Sequence, residues 1–140
     1  MQMNSINLIF LLVVFTSPVC PNPVPPPEQT RTLVEVWCGG DDGLTTGVCH
    51  AVEEAFKSTP DFELSSGNKP GTMVVTIPSN VDWKQIGKRN RVFYTVEFTS
   101  TDDRKLATRK GTCWEGEFGN CANQIIKQAR TTLRRLHTKR

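Results

Sequence analysis

The chain has 140 residues, of which 17 are basic and 14 acidic, and none of these charged residues lies in the first 27 positions. The remaining 113 residues are the size of one domain, which excludes a multidomain enzyme. No apolar run in this charged body approaches the ~20 residues that a membrane-spanning helix needs, which excludes a polytopic membrane protein.

The uncharged first part has the pattern of a leader followed by a spacer. Residues 6–15 form an apolar run of about ten residues, which fits the core of a signal peptide and is too short for a stable membrane span. The prolines that follow, Pro18, Pro21, Pro23, Pro25, Pro26 and Pro27, predict an extended, largely polyproline II segment. We therefore predict a signal peptide at 1–20, a linker at 21–31 and a single domain at 32–137, in a protein that is periplasmic or secreted.

Cys20 lies between the apolar run and the linker. An uncharged spacer after an acylated cysteine is a common arrangement, so Cys20 is a candidate for lipidation and the protein a candidate outer-membrane lipoprotein. The preceding Ser17-Pro18-Val19 is a poor match to a bacterial lipobox. A cysteine left within a discarded leader peptide is the alternative interpretation.

The charged body holds four more cysteines, at Cys38, Cys49, Cys113 and Cys121. An even number of cysteines behind an export signal indicates an oxidising compartment and two disulfides, for which three pairings exist. The spacings Cys-x10-Cys and Cys-x7-Cys differ from the tight Cys-x2-Cys knuckles of zinc sites. We therefore expect no metal and no other cofactor.

The predicted elements begin with a β-branched and aromatic strand. Apolar residues then recur at helical spacing up to Pro60, with Asp42 or Thr45 as the helix cap. Further along, apolar and polar residues alternate, which predicts strands with one buried face, and Pro78 breaks or bends one strand before its pattern resumes at 81–86. The predicted strands are 32–38, 62–64, 72–77, 91–100 and 105–115, and the predicted helices are 44–58 and 120–136, the latter capped by Asn120.

This order, β-α-β-β-β-β-α, predicts an α+β two-layer sandwich, with a mainly antiparallel sheet and two helices on one face. In such a layout a helix runs back along the strand before it, so the end of the strand and the start of the helix are neighbours. Cys38 ends the first strand and Cys49 lies early in the first helix, and Cys113 and Cys121 have the same relation in the last strand and helix. We therefore favour the disulfides Cys38–Cys49 and Cys113–Cys121.

The second half of the body resembles a known group of envelope proteins. It has a strand with Tyr94-Thr-Val-Glu-Phe98, a turn at Thr101-Asp-Asp-Arg104, a strand from Leu106 to Trp114 and a final amphipathic helix. In element order and hairpin style this is similar to the amino-terminal domain of the TolB-like group, which includes the curli-secretion and penicillin-binding-protein-activator lipoproteins of Gram-negative envelopes. The resemblance spans residues 32–136 and implies an envelope accessory domain, while it assigns no functional residue.

Two surfaces are candidates for binding. The segment between Cys113 and Cys121 combines aromatic and acidic residues, as an exposed recognition loop on a rigid scaffold would, and its candidate binding residues are Trp114, Glu115, Glu117 and Phe118. The alternative is a connector whose two aromatic residues plug the end of the core.

The second surface is the basic last helix. Its candidate residues are Arg130, Arg134 and Arg135, which would contact an anionic partner. A solvated helix face is the alternative, since cations near the carboxyl end of a helix also suit its dipole.

The chemistry of the sequence favours a binding protein. It has no nucleophile elbow, zinc-protease signature, phosphate-binding loop or dinucleotide fingerprint, and the pairs Asp41-Asp42 and Asp102-Asp103 lie in turns where aspartate caps the backbone. We expect no catalytic residue, and a non-enzymatic envelope accessory or protein-binding domain that has an envelope protein as partner and contacts a membrane only through a lipid anchor. Nucleic acid is disfavoured, because the basic residues lack interleaved aromatic residues for stacking. The alternative is a periplasmic inhibitor or immunity protein that blocks a toxin or hydrolase.

Overall fold

The computed structural model describes residue 14, residues 16–27 and residues 30–139. Most of the predicted signal peptide lies outside the described residues. Residues 16–27 are exposed and contain neither helix nor strand, which fits their proline content, because proline lacks an amide hydrogen and polyproline II has no internal hydrogen bonds. No helix in the described ranges combines the length and the apolar character needed to cross a membrane.

In the described part of the chain the elements follow in the order β1 (Thr32–Cys38), α1 (Gly43–Ser58), β2 (Phe62–Leu64), β3 (Met73–Ile77), β4 (Asp82–Ile86), β5 (Arg89–Ser100), β6 (Lys105–Trp114) and α2 (Phe118–Thr138). The strands form one mixed sheet. β1 pairs in parallel with β2 and β3, whereas β3, β4 and β6 pair antiparallel with β5. The predicted α+β fold is confirmed, and the sheet contains parallel as well as antiparallel pairs.

β4 is a strand of its own, whereas the sequence pattern suggested that it resumes the strand before Pro78. β3 pairs with the second half of β5, with Met73 opposite Ser100, and β4 pairs with the first half, with Ile86 opposite Arg89. Proline has no amide hydrogen to donate to a ladder and ends β3. The chain then moves along the same edge of β5, and the other edge pairs with β6.

The core lies between the sheet and the two helices. On β5 the alternate residues Val92, Tyr94, Val96 and Phe98 are buried, as the alternation predicts. Buried residues of α1 and α2 recur at helical spacing and cover them, namely Val48, Val52 and Phe56 in α1 and Ile125, Ile126 and Ala129 in α2. The rings of Phe56 and Phe62 meet edge to face with centroids 5.0 Å apart, a favourable geometry for aromatic pairs.

The two helices begin differently. Asp42 caps α1, as predicted, because its carboxylate accepts a hydrogen bond from the Thr45 amide over 2.7 Å. α2 begins at Phe118, before the predicted cap Asn120, and Glu117 at its cap position makes no side-chain cap bond. The chain makes a tight turn at Gly116, whose φ is +84°, a conformation that glycine adopts without steric cost. This turn lets the helix begin two residues later, at Phe118.

Both favoured disulfides occur within the described residues. Cys38–Cys49 joins β1 to α1 with Cα atoms 6.1 Å apart, and Cys113–Cys121 joins β6 to α2 with Cα atoms 5.4 Å apart. Each bond links the end of a strand to the first turns of the next helix, which is the relation that led to the predicted pairing. Cys20 is exposed and forms no disulfide.

The domain has two ends that differ in composition. At the linker end, where the proline-rich segment leads into β1, strands β2 and β3 also begin, β5 ends, and both α1 and α2 end. At the hairpin end, α1 and α2 begin, and the β4–β5 turn lies beside the connection from β6 to α2. Because β5 has 12 residues and a strand rises about 3.3 Å per residue, the two ends lie roughly 35–40 Å apart.

Candidate binding groove at the hairpin end

The loop that connects β6 to α2 is held in place from both sides. The Cys113–Cys121 disulfide closes it. The amide of Glu115 donates to the Asn90 carbonyl over 2.9 Å, and Glu115 Oε2 accepts from Asn90 Nδ2 over 2.6 Å. Glu117 Oε2 accepts from Arg89 Nη2 over 3.0 Å. The loop is therefore fixed to the start of β5, and its shape is defined before any partner binds.

Trp114 lies on the face of the sheet that points away from the helices. It stands opposite Arg91 in the β5–β6 ladder, and the guanidinium carbons of Arg89 and Arg91 each lie 4.7 Å from its ring centroid. Arg91 Nε also donates to Thr112 Oγ1 over 2.8 Å. Cations over a tryptophan ring are held by its quadrupole. Trp114 therefore stabilises the hairpin face, and it does not plug the core.

Phe118 points the other way, against α1. A methyl group placed on Gly47 would lie only 2.6 Å from Phe118 Cε2, so the ring covers this glycine closely. The side chain is half-buried and packs against the core cluster. For Phe118, the interpretation as a plug at the end of the core agrees with the structure.

A groove of about 440 Å³ lies between this loop, the start of α1 and β4. Leu44, Phe118 and Trp83 form its apolar wall, and the carboxylates of Asp42 and Glu115 line it as well. We call this site the Trp83 groove. Trp83 is 57% exposed, and it lies opposite Val92 and hence on the helix side of the sheet. The groove offers an aromatic surface with negative charge beside it.

The negative charge of the Trp83 groove is fixed in part by the start of α1. The hydrogen bonds that Asp42 accepts from the Thr45 amide and hydroxyl lower the pKa of Asp42 below its usual value. This carboxylate is therefore ionised at neutral pH. Together with Glu115 it makes the groove suited to a cationic or hydrogen-bond-donating group.

The sequence singled out Glu115 and Phe118 of this groove and missed Trp83 and Leu44. Trp83 belongs to β4, whose residues are all exposed, and β4 was interpreted as part of the preceding strand. A signal was present, because one large aromatic residue among Asp, Lys and Gln does not fit the alternation of a buried strand. Leu44 counted only as part of the apolar stripe of α1.

The three basic candidates of α2 have different surroundings. Arg130 Nε and Nη2 donate to the two oxygens of Asp61 over 2.8 Å and 2.9 Å, and these hydrogen bonds lower the pKa of Asp61. Arg134 and Arg135 are exposed, and no ion pair of theirs is found among the described residues. They lie at the linker end, so the structure separates them from the Trp83 groove.

The remaining polar clusters have structural roles. Asp102 accepts a hydrogen bond from the Ser100 hydroxyl, which lowers the pKa of Asp102 and holds the β5–β6 turn. Asp41 Oδ1 accepts from Asn80 Nδ2 over 3.3 Å. Over the described ranges, no three His, Cys, Asp or Glu side chains are grouped to hold a metal ion.

Comparisons with known proteins concern the fold. No family model and no curated protein matches the chain. Among solved structures, a protein of the DUF330 family from Xanthomonas campestris has a TM-score of 0.56 at 12% identity, over 86% of this chain and 95% of that one. A minor lipoprotein from Acinetobacter baumannii has a TM-score of 0.52 at 13% identity, over 71% of this chain and 90% of that one.

The chain therefore shares a two-layer α+β fold with these two bacterial proteins. The structural similarity shows a shared fold, but at sequence identities this low it does not carry over a function. The resemblance to the TolB-like group stays a prediction.

Proposed function

We propose that this protein is a non-enzymatic, exported accessory domain of a bacterial envelope that binds a protein partner in the Trp83 groove. The observation that carries the proposal is the exposure of Trp83 inside a groove whose opposite wall is fixed by a disulfide and hydrogen bonds. Tryptophan is enriched among the residues that dominate binding energy at protein interfaces. A rigid wall also reduces the entropy lost on binding.

The envelope location has separate support. An apolar leader precedes the domain in the sequence, disulfides suit an oxidising compartment, and one protein of similar fold is a bacterial lipoprotein. Lipidation of Cys20 would hold the domain at the outer membrane and is a further part of this proposal.

The composition of the Trp83 groove indicates what the partner presents. A lysine or arginine side chain could lie over the Trp83 ring and place its charge near Asp42 and Glu115, while its aliphatic stem would contact Leu44 and Phe118. We therefore expect the bound segment to contain a basic residue next to an apolar one.

Affinity capture from an envelope extract tests the Trp83 groove. Trp83→Ala should weaken capture of the partner by about tenfold or more, because removing a central aromatic anchor costs on the order of 2 kcal/mol or more. Trp37→Ala is the matched control, since Trp37 is 56% exposed but lies in β1, on the face away from the helices. It should capture the partner as well as the unaltered protein does.

Equal capture by both variants, or equal loss in both, would overturn the groove as the binding site. The captured protein also separates the accessory role from the inhibitor or immunity role. The preorganised loop would suit an inhibitor too, and a partner that is a toxin or hydrolase, with activity that falls when it is bound, would favour that alternative.

A further inference from the structure

Cations that have no ion pair among the described residues gather at the linker end from segments that are distant in sequence. They are Arg31 before β1, Lys69 before β3, Arg104 in the β5–β6 turn, and Arg134, Arg135 and Lys139 at the end of α2. Arg130 and Lys105 lie there as well but pair with Asp61 and Glu97. Lys57 at the end of α1 pairs with Glu54. The described acids of this end outside the ion pairs are Glu35, which lies opposite Val74, Glu53 in the last turns of α1, and Glu63, Asp102 and Asp103, so the six cations exceed these five acids by one.

The hairpin end has no such excess. Its cations are Lys84, Lys88, Arg89 and Arg91, and its acids are Asp41, Asp42, Asp82, Glu115 and Glu117. Arg89 is paired with Glu117. The charge of the two ends therefore differs in sign, and the linker end is the one that attracts anions.

The cations of the linker end border a groove that is partly apolar and partly polar. A cavity of about 650 Å³ lies between the end of α2, the start of β3 and the β5–β6 turn. Its apolar lining is Met73, Leu106, Leu133 and Leu136, and its charged lining is Asp102, Arg104 and Lys139. We call it the linker-end groove. Apolar residues beside basic side chains are the composition with which proteins bind the surface of a bilayer.

The proline-rich segment enters the domain at this same end. Residues 16–27 are exposed, and the chain reaches β1 at Thr32, whose amide donates to the Asp61 carbonyl over 3.0 Å. Any membrane attachment of the amino-terminal part would hold the linker end, and not the hairpin end, toward that membrane. This continuity favours a lipid surface over a soluble anion as the occupant.

We propose that the linker end is a docking surface for a bilayer that contains anionic phospholipid. The exposed guanidinium and ammonium groups contact headgroup phosphates, and the linker-end groove accepts the apolar part of a lipid next to them. The Trp83 groove lies roughly 26 Å away along the sheet, because Val92 opposite Trp83 and Ser100 opposite Met73 are eight residues apart in β5, and it then faces away from the membrane toward a partner. This proposal does not depend on the Trp83 groove, because lipid binding and partner capture use opposite ends of the domain.

Vesicle sedimentation tests the docking surface. The full chain carrying Cys20→Ser, which cannot be acylated there, is mixed with vesicles of phosphatidylcholine alone or with a third of phosphatidylglycerol. We expect binding to the anionic vesicles that weakens with added salt. Arg134→Glu with Arg135→Glu should lower the partition coefficient by about tenfold or more, since each basic residue near an anionic surface contributes about a fivefold gain.

The matched control is Lys84→Glu with Lys88→Glu, which makes the same change in net charge at the hairpin end and should bind almost as well as the parent. Leu136→Ser, which removes apolar lining without changing charge, should also weaken binding.

Unchanged binding after the α2 reversals, equal loss in both double variants, or equal binding to neutral vesicles would overturn the proposal. The proposal would also be overturned if the protein bound an acidic protein or nucleic acid but did not bind the vesicles. If circular dichroism shows that the α2 reversals unfold the protein, Arg134→Gln with Arg135→Gln replaces them, and its unchanged binding would count equally against the proposal.

Discussion

Tyr94 shows how the surroundings of one side chain decide its chemistry. Its ring lies over Gly111 of β6, where any side chain would overlap the phenol. The hydroxyl donates to Gln124 Oε1 over 3.1 Å, and Gln124 Nε2 donates to the Thr112 carbonyl over 2.9 Å. Tyr94 therefore joins β5 to α2 through a small, partly buried hydrogen-bond network. The alternation of apolar and polar residues in β5 does not reveal this network.

Burial raises the pKa of Tyr94 to about 12, against a usual value of about 10. Because the chain has one tyrosine, the ultraviolet absorbance of phenolate reports this residue alone. We expect a titration midpoint near pH 12 in the folded protein and near pH 10 in denaturant. A midpoint near pH 10 while circular dichroism still shows the fold would contradict the burial.

The same pKa difference predicts a loss of stability in alkali. Above about pH 10 the unfolded state releases the phenolic proton while the folded state keeps it, so the unfolded state binds fewer protons. The contribution of Tyr94 to the free energy of unfolding is fully present below about pH 10 and declines as pH rises toward about 12. Denaturant unfolding at several pH values should show this decline, and Tyr94→Phe should reduce it.

At the scale of elements, the connection from β6 to α2 is the best-defined loop of the domain. The Cys113–Cys121 disulfide, the two bonds between Glu115 and Asn90, and the Arg89–Glu117 pair act on the same few residues. The ion pair is exposed and contributes little by itself. The covalent bond is therefore the principal constraint on this wall of the Trp83 groove.

Cys113→Ala with Cys121→Ala should lower the free energy of unfolding by about 2–3 kcal/mol, because the unfolded chain regains the freedom that the closed loop denied it. Denaturant unfolding monitored by circular dichroism measures the change. Cys20→Ala is the control, since Cys20 is exposed and unpaired, and it should leave stability unaltered. A double variant as stable as this control would show that the disulfide does not constrain the domain.

At the scale of the whole molecule, the two ends of the sheet have different roles in our proposals. Parallel α1 and α2 begin at the hairpin end and finish at the linker end, so the Trp83 groove and the basic carboxyl end of α2 lie at opposite ends of the domain. A domain tethered by its linker could in this way rest on a surface and present a groove to a partner.

The proposed export of this protein makes a testable prediction. Protein recovered from the envelope should lack the apolar leader, and the four body cysteines should react with an alkylating reagent only after reduction, because an oxidising compartment keeps them paired. Intact-mass spectrometry with and without reduction measures this result. Four reactive thiols in the untreated protein would contradict the assignment to an oxidising compartment.

Much of the fold followed from local patterns. The period of two in β5, the helical spacing in α1 and α2, the Asp42 cap of α1 and the prolines between elements locate most of the elements, since these signals reside in neighbouring residues. The Asn120 cap did not, because α2 begins at Phe118. The disulfide pairing also followed, because each pair spans one strand and the next helix.

The candidate sites depended on contacts between distant residues. Trp83 and Phe118 share a groove, Arg130 pairs with Asp61, and Arg31 lies at the same end as Arg135, only because strand register and helix packing place them there. Periodicity shows which face of an element is buried, but not which side chain from elsewhere meets it. The amino-acid pattern thus established an exported, disulfide-linked α+β domain as the prediction, while the folded chain assigned a groove to one end and the excess positive charge to the other.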